Sequence, residues 1–422
     1  MNMNQLCDTN GFFGKNSPAA LTAKYGSPLY VYNERILRER CREMAGLLPE
    51  ARTGVNYSTK ANANLELLRI IRSEGLRADA MSPGEIHVLL KAGFKPDQIL
   101  YIGNNVADAE LRYASAAGVR VSVDSLAQLE RFGRLNPGGR VAIRFNPGIG
   151  AGHHEKVVTG GDKTKFGINR EQIAEVPAIL SRHGLRLNGV NQHVGSLFLD
   201  GETYLEAARA LLAIAEPFKE LEFVDFGGGF GIPYRRQAGE ARLDLEEFRR
   251  ELEGIIREWM PRLPQRMEFL IEPGRYIVAE AGILLGTVHA LKENAGVSYI
   301  GTDLGLNVLI RPALYDAYHE IEVYRNGQLV TDGPSEEVTV VGNICETGDI
   351  LAKERDLPEV REGDLLAVRD AGAYGYVMSS NYNNRLRPAE VLIDASGADR
   401  LIRRRETLDD LTACFVDSEA MD

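Results

Sequence analysis

The chain has 422 residues, of which 44% are hydrophobic and 26% charged, ordinary proportions for a globular protein that exclude wholesale disorder. Lys plus Arg is 49 against 60 Asp plus Glu, a formal net charge of -11. That argues against general binding to nucleic acid or anionic membranes, while leaving room for a small anionic ligand in a locally basic pocket. The cysteines Cys7, Cys41, Cys345 and Cys414 form no C-x-x-C pair, so a thiolate zinc site is not expected and the scattered thiols fit a reduced cytoplasm. MNMNQLCDTNGFFGKN (1–16) has no basic or apolar leader region, and no apolar run reaches about 18 residues, so neither a signal peptide nor a transmembrane helix is expected.

In chain order, residues 1–50 hold one strand candidate, PLYVY (28–32), and one helix candidate after it. From about Thr53 to Arg275, apolar or β-branched runs alternate with amphipathic stretches. The strand candidates are 53–59, 77–81, 98–103, 119–123, 140–146, 185–193, 222–227 and 268–272. Helix candidates between them include 64–75, 83–94, 108–118, 170–184, 202–219 and 244–260, several ending in Gly, the usual residue just past a helix C-terminus. Eight strands with intervening helices predict an α/β fold, a parallel (β/α)8 barrel of the TIM type. A doubly wound sheet gives a similar string, so the strand count carries the argument. The polar, Gly-rich stretch AGHHEKVVTGGDKTKFG (151–167) reads as a mobile loop over the barrel mouth. Residues 283–405 are mostly strand-like, with runs at 319–324, 336–343, 364–372 and 389–396, and predict a C-terminal β-domain, a β-sandwich or Greek-key barrel. The expected division is an N-terminal segment, 1–33, packing with the β-domain, a barrel at 34–280, and the β-domain at 281–422.

Function in such barrels collects at the C-terminal ends of the strands. Lys60 ends the first strand candidate, Asp79 the second, His193 the sixth, Gly227, Gly228 and Gly229 the seventh, and Glu272 the eighth, followed by Pro273, Gly274 and Arg275. Each has a bland reading: a solvated lysine, a core histidine, a glycine loop, a Glu-Pro-Gly-Arg turn. Gly227-x-Gly229 is no dinucleotide fingerprint, because Ile232 stands where the third glycine belongs and Pro233 would interrupt the helix. His153-His154 lacks a carboxylate or cysteine at ligand spacing, so no metal is expected. Together, however, a Schiff-base amine, glycines that let backbone N–H groups approach a phosphate, a carboxylate for a pyridine nitrogen and a ring to stack on a heterocycle meet the needs of pyridoxal phosphate.

The motifs YSTKANAN (57–64), MSPGE (81–85), GGDKTKFGI (160–168), QHVGS (192–196), GGGFGIPY (227–234), EPGR (272–275), RPALY (311–315), CETGD (345–349), DAGAYG (370–375) and SSNYNNRLRPAEVL (379–392) resemble, in order and across essentially the whole chain, the fold-type III pyridoxal-phosphate decarboxylases. The resemblance implies a barrel plus β-domain working as a homodimer whose active sites draw on both subunits. It implies that Lys60 carries pyridoxal 5'-phosphate, His193 stacks on its ring, Glu272 pairs with its nitrogen, and Asp79 lies beside the lysine. Ser196, Gly229, Gly274, Arg275 and Tyr374 match phosphate contacts. Arg275, Arg311 and Tyr315 match substrate-carboxylate contacts, with Tyr374 also beside the substrate. Cys345, a proton donor, and Glu346, an acceptor for a substrate ammonium, match the pair reaching in from the other subunit. The departures are Asn191 for a histidine, Val194 for isoleucine, Thr347 for serine and Ser58 for a small apolar residue; none removes a catalytic group.

Two arginines suited to bidentate carboxylate binding favour a substrate with an amine and a carboxylate at its far end, as meso-2,6-diaminopimelate has, over ornithine, lysine or arginine. The product would be L-lysine. A sister decarboxylase acting on a D-diamino acid or a siderophore precursor is the enzyme alternative, and an amino-acid racemase a weaker one. A non-catalytic pyridoxal-phosphate binder would be expected to lose some of these groups, and a plain barrel with fortuitous motifs would carry no bound chromophore.

Overall fold

The computed structural model describes residues 9–48, 53–149, 151–152 and 164–416. Most of the 151–167 stretch, including His153 and His154, and Cys7 therefore lie outside the described residues. The chain folds as two units, one of Met1–Ile36 with Ala279–Asp422 and one of Leu37–Val278.

The Leu37–Val278 unit is the eight-stranded barrel that the alternation predicts. With Leu29–Asn33 of the other unit as β1, its strands are β2 (Thr53–Ser58), β3 (Arg77–Ala80), β4 (Ile99–Ile102), β5 (Arg120–Val123), β6 (Arg140–Asn146), β7 (Arg186–Asn191), β8 (Phe223–Asp225) and β9 (Glu268–Ile271). Every neighbouring pair is parallel, and β9 closes on β2 with Phe269 opposite Thr53. Parallel strands covered by helices are buried on both faces, which is why β4 reads as the unbroken apolar run ILYI. Leu100, Ile102, Ala142, Phe223 and Leu270 pack as one buried cluster, with Met81 against it.

The helices begin and end where local chemistry allows. Asn64, Ser82 and Asp244 accept hydrogen bonds from the first exposed N–H groups of Leu65–Ser73, Pro83–Ala92 and Leu245–Trp259. Gly93 and Gly184 close two helices in the left-handed conformation. The helix Leu126–Leu135 is missing from the sequence reading, although its signal was present: Ser125 caps Gln128 N, and Leu129 and Phe132 face inward at helical spacing. Residues 170–184 split into a 3-10 segment, Arg170–Glu175, and an α-helix, Val176–His183, because Pro177 favours a helix start.

The other unit is mostly antiparallel. After the barrel come β10 (Gly282–Asn294), β11 (Val297–Thr302), β12 (Ile321–Arg325), β13 (Ser335–Val341), β14 (Ile350–Pro358), β15 (Leu365–Val368), β16 (Ala389–Ile393) and β17 (Asp399–Arg403). The N-terminal β1 sits between β10, antiparallel, and β16, parallel. β10 also pairs with β15 and β11, and β11 runs parallel to β13. β10, β11, β14 and β17 fall in the stretch that reads as mostly strand-like but outside its four named runs. In β10 the cause is visible: its first half is buried and its second, HALKEN, exposed, so neither a continuous apolar run nor a sustained alternation marks it.

Candidate active site

Lys60 lies in the single 3-10 turn Thr59–Ala61 that leaves β2, with its side chain half-buried. The neighbouring strand end supplies Asp79, fully buried in β3. Its carboxylate accepts from Ser58 Oγ at 2.6 Å and from Thr59 N at 3.0 Å, while Thr59 Oγ1 donates to the Asp79 carbonyl at 2.7 Å. Burial pushes the Asp79 carboxyl up; the Lys60 ammonium and these donors pull the other way. Asp79 thus anchors the turn that presents Lys60, and Ser58, one of the departures from the family pattern, is one of its donors.

Opposing carboxyl groups stand on β8 and just after β9. Asp225, buried, accepts from Asn56 Nδ2 at 3.0 Å and from Gly227 N at 2.9 Å. Glu272 lies beside it, and both carboxyls are pushed up, first by burial and then by the neighbouring carboxylates. Lys60 and Arg144 supply the positive charge that faces Glu272. Among the described residues, Oε1 of Glu272 has no hydrogen-bond partner. A buried acceptor left open beside a lysine amine fits a cationic ring N–H such as that of pyridoxal phosphate.

His193 follows β7, and its Nδ1 accepts from Gly228 N at 3.2 Å. Burial, with help from the Lys60 and Arg144 charges, holds the ring well below its ordinary titration range, so it is neutral at physiological pH. The triple glycine has a packing cause beside any phosphate role. A Cβ on Gly228 would overlap the Glu272 carbonyl oxygen, and one on Gly229, at φ +109, would lie 2.6 Å from the Gly195 carbonyl. Arg275, 6% exposed, donates from Nη1 to Tyr234 Oη and from Nη2 to Ser196 Oγ, both at 3.0 Å, and Gly274 lies directly before it. The structure therefore brings Lys60, Asp79, His193, Ser196, Gly229, Glu272, Gly274 and Arg275 to one end of one barrel.

Sequence reasoning missed Asp225, Arg144, Asn56 and Tyr234. Asp225 sits at a strand C-terminus, the position that flagged Lys60 and Glu272, and Arg144 lies two residues before the end of β6, so the same rule applied to every charged residue in the last residues of the strands would have found them. Tyr234 closes the GGGFGIPY motif. Asn191, which stands in place of the family's histidine, accepts a hydrogen bond from Ser122 Oγ at 2.6 Å.

The remaining candidates belong to the other unit. Arg311 opens the short helix Arg311–Tyr315 and is buried; Tyr315 is half-buried. Cys345 and Glu346 lie on an exposed loop, with Cys345 N donating to Asn383 Oδ1 at 2.9 Å and Tyr382 Oη donating to Glu346. Tyr374 is half-buried and adopts the left-handed conformation, φ +57. Among the described residues, no group of three His, Cys, Asp or Glu side chains could hold a metal, and no helix is long and apolar enough to cross a membrane.

Comparison with known proteins places these features. Residues 34–279 match the family model "Pyridoxal-dependent decarboxylase, pyridoxal binding domain". A diaminopimelate decarboxylase of Methanothermobacter thermautotrophicus is 44% identical over 400 residues, 93% of this chain and 92% of that protein. A solved diaminopimelate decarboxylase structure superposes with a TM-score of 0.87 at 34% identity, covering 95% of this chain and 98% of that one. The Helicobacter pylori enzyme, solved in complex with L-lysine, gives a TM-score of 0.84 at 30% identity, over 93% and 98% of the two chains.

Proposed function

The chain belongs to the pyridoxal-dependent diaminopimelate decarboxylases, and from that membership we infer that it converts meso-2,6-diaminopimelate to L-lysine and CO2 with pyridoxal phosphate as its cofactor. The observation that carries the reading is the barrel end itself: one lysine amine faces a buried carboxyl pair whose Glu272 Oε1 is an open acceptor. The cofactor-binding domain corresponds to 34–280, with 1–33 and 281–422 forming the β-domain.

Bound pyridoxal phosphate supplies a conjugated cationic ring that takes up the electron pair left on carbon when CO2 departs. Lys60 is the amine that holds the cofactor's aldehyde, and Asp79 fixes the turn bearing it. Glu272 would accept the ring N–H through Oε1, and a negative charge there would favour the protonated ring nitrogen. His193, neutral, offers a flat uncharged face. Ser196, Gly229, Gly274, Arg275 and Tyr374 would hold the phosphate. Arg275, Arg311, Tyr315 and Tyr374 would orient the substrate for loss of its carboxylate. Cys345 delivers a proton to the substrate carbon once CO2 has left, and Glu346 accepts from the distal ammonium. In this reading the enzyme is a homodimer, with Cys345 of the partner subunit and Glu346 of the partner subunit completing each site. It works in the cytoplasm and has no nucleic-acid partner; the scattered cysteines and the net charge of -11 support both.

The test is chiral product analysis after incubating the cofactor-loaded protein with meso-2,6-diaminopimelate. L-Lysine formation that disappears in Lys60→Ala is expected. Carbon dioxide released only from a different diamino acid would overturn the substrate, and no turnover of any amino acid would overturn the enzyme reading.

A further inference from the structure

Arg311 keeps its guanidinium in a nearly closed environment, 2% exposed. Its Nη1 lies 2.7 Å from Nε2 of His319, which is also 2% exposed. The other ring nitrogen, Nδ1, lies 2.7 Å from the carbonyl oxygen of Arg369. A guanidinium can only donate and a carbonyl can only accept. One protonation pattern satisfies both contacts: the proton on Nδ1 and the lone pair on Nε2. A doubly protonated ring would drive an N–H into a cation, and the other tautomer would in addition set a lone pair against the carbonyl.

The histidine is itself held in place. Arg355 Nη1 donates to the His319 carbonyl at 2.7 Å, and the Arg369 guanidinium pairs with Glu322 at 2.9 Å. The ring therefore ties the helix Arg311–Tyr315 to the segment just after β15, where the chain turns into Asp370–Tyr374.

We propose that His319 is a positioning residue for the substrate: its neutral imidazole, protonated on Nδ1, fixes the plane of the Arg311 fork that meets the substrate's distal carboxylate. The proposal rests on the reading that Arg311 binds that carboxylate. Bidentate pairing needs the guanidinium and carboxylate nearly coplanar, so pinning one Nη fixes the plane before substrate arrives. A neutral acceptor does this without cancelling the charge the substrate must find, as an Asp or Glu at this position would.

The test compares His319→Phe, His319→Gln and Arg311→Ala in the cofactor-loaded enzyme. His319→Phe keeps ring volume but loses the acceptor. It is expected to raise KM for meso-2,6-diaminopimelate about tenfold while kcat stays within about threefold. Inhibition by L-lysine, which retains the distal carboxylate, should weaken by a similar factor, and inhibition by cadaverine, which lacks it, should not change. His319→Gln, whose Oε1 can stand in for Nε2, should recover most of the loss. Equal weakening toward lysine and cadaverine would mean a merely structural role and overturn the proposal. If Arg311→Ala raises KM and His319→Phe does not, His319 is dismissed and the Arg311 reading stands. If Arg311→Ala also leaves KM and lysine inhibition unchanged, that reading falls and takes this one with it. Should His319→Phe fail to fold, nitrogen-15 NMR of histidine-labelled wild type decides, with the His319 signals identified by their loss in His319→Gln. A neutral Nδ1–H tautomer is expected, and an imidazolium or an Nε2–H tautomer overturns the proposal.

Discussion

At the barrel end, Lys60, Asp79, Asp225 and Glu272 stand on or beside neighbouring strand termini, and the three carboxyls are buried. In the other unit, Cys345 and Glu346 sit on an exposed loop, held by Asn383 and Tyr382. The first group meets its electrostatic needs within one rigid sheet: each charge faces another, and the shifts follow from burial. The second group has no such enclosure of its own. A thiol in open water controls neither which carbon it protonates nor when, so its use as a proton donor calls for cover from elsewhere. The contrast separates a pre-organised electrostatic core from a pair of groups that the proposed function assigns to the partner subunit's site.

The largest effect that could break this contrast is all or none. Lys60→Ala and Cys345→Ala are each expected to be nearly inactive, yet coexpressed or mixed so that subunits exchange they should regain lysine formation, because a hybrid dimer holds one intact site. Verified hybrids without activity would place both groups in a site within one chain. Next in size is Glu272→Gln, which leaves Asp225 without its charged neighbour and the ring nitrogen without a carboxylate. It should lower kcat by roughly a hundredfold to a thousandfold, the scale of a lost transition-state contact, with the bound chromophore retained in the absorption spectrum. Arg311→Ala should cut kcat/KM for meso-2,6-diaminopimelate by about tenfold to a hundredfold, mainly through KM; an unchanged kcat/KM would remove Arg311 from substrate recognition.

The smallest effect is on stability. Glu85 accepts from Met81 N at 2.6 Å, and burial pushes its carboxyl from 4.5 up to about 7. A group raised in the folded state contributes stability below its unfolded value and loses that contribution as pH rises through the folded one. The cofactor-free protein should therefore lose stability between pH 4.5 and about pH 7. Glu85→Gln, which keeps the acceptor and removes the titration, should flatten that slope by on the order of 2 kcal/mol in urea denaturation, less than full linkage because the carboxyl is only partly buried. An identical slope in the variant would show that the fold tolerates the charge without cost.

Much of the barrel site was legible because strand ends are a local property. Lys60 follows TGVNYS and Glu272 follows EFLI, and each could be assigned from its own segment. Asp225 ends β8 and Arg144 lies near the end of β6, but neither stands in a motif that marks it. Ser58 could be read from the sequence only as a departure from a pattern; that its hydroxyl bonds Asp79 depends on β2 and β3 pairing with Ser58 opposite Asp79. The helix Leu126–Leu135 was readable and overlooked, whereas β10 was obscured by its half-exposed character.

The sequence by itself determined the alternation of eight strands with helices, the capped helix ends, the motifs and the family, since all of these follow from residues near one another along the chain. Only the tertiary structure decided that Asp225 and Glu272 form a buried carboxyl pair, that Gly228 must lack a side chain beneath the Glu272 carbonyl, and that His319 stands between Arg311 and the Arg369 carbonyl. Those are meetings of residues eight to fifty positions apart, set by strand pairing and by the need of buried polar groups for partners, and no local pattern encodes them.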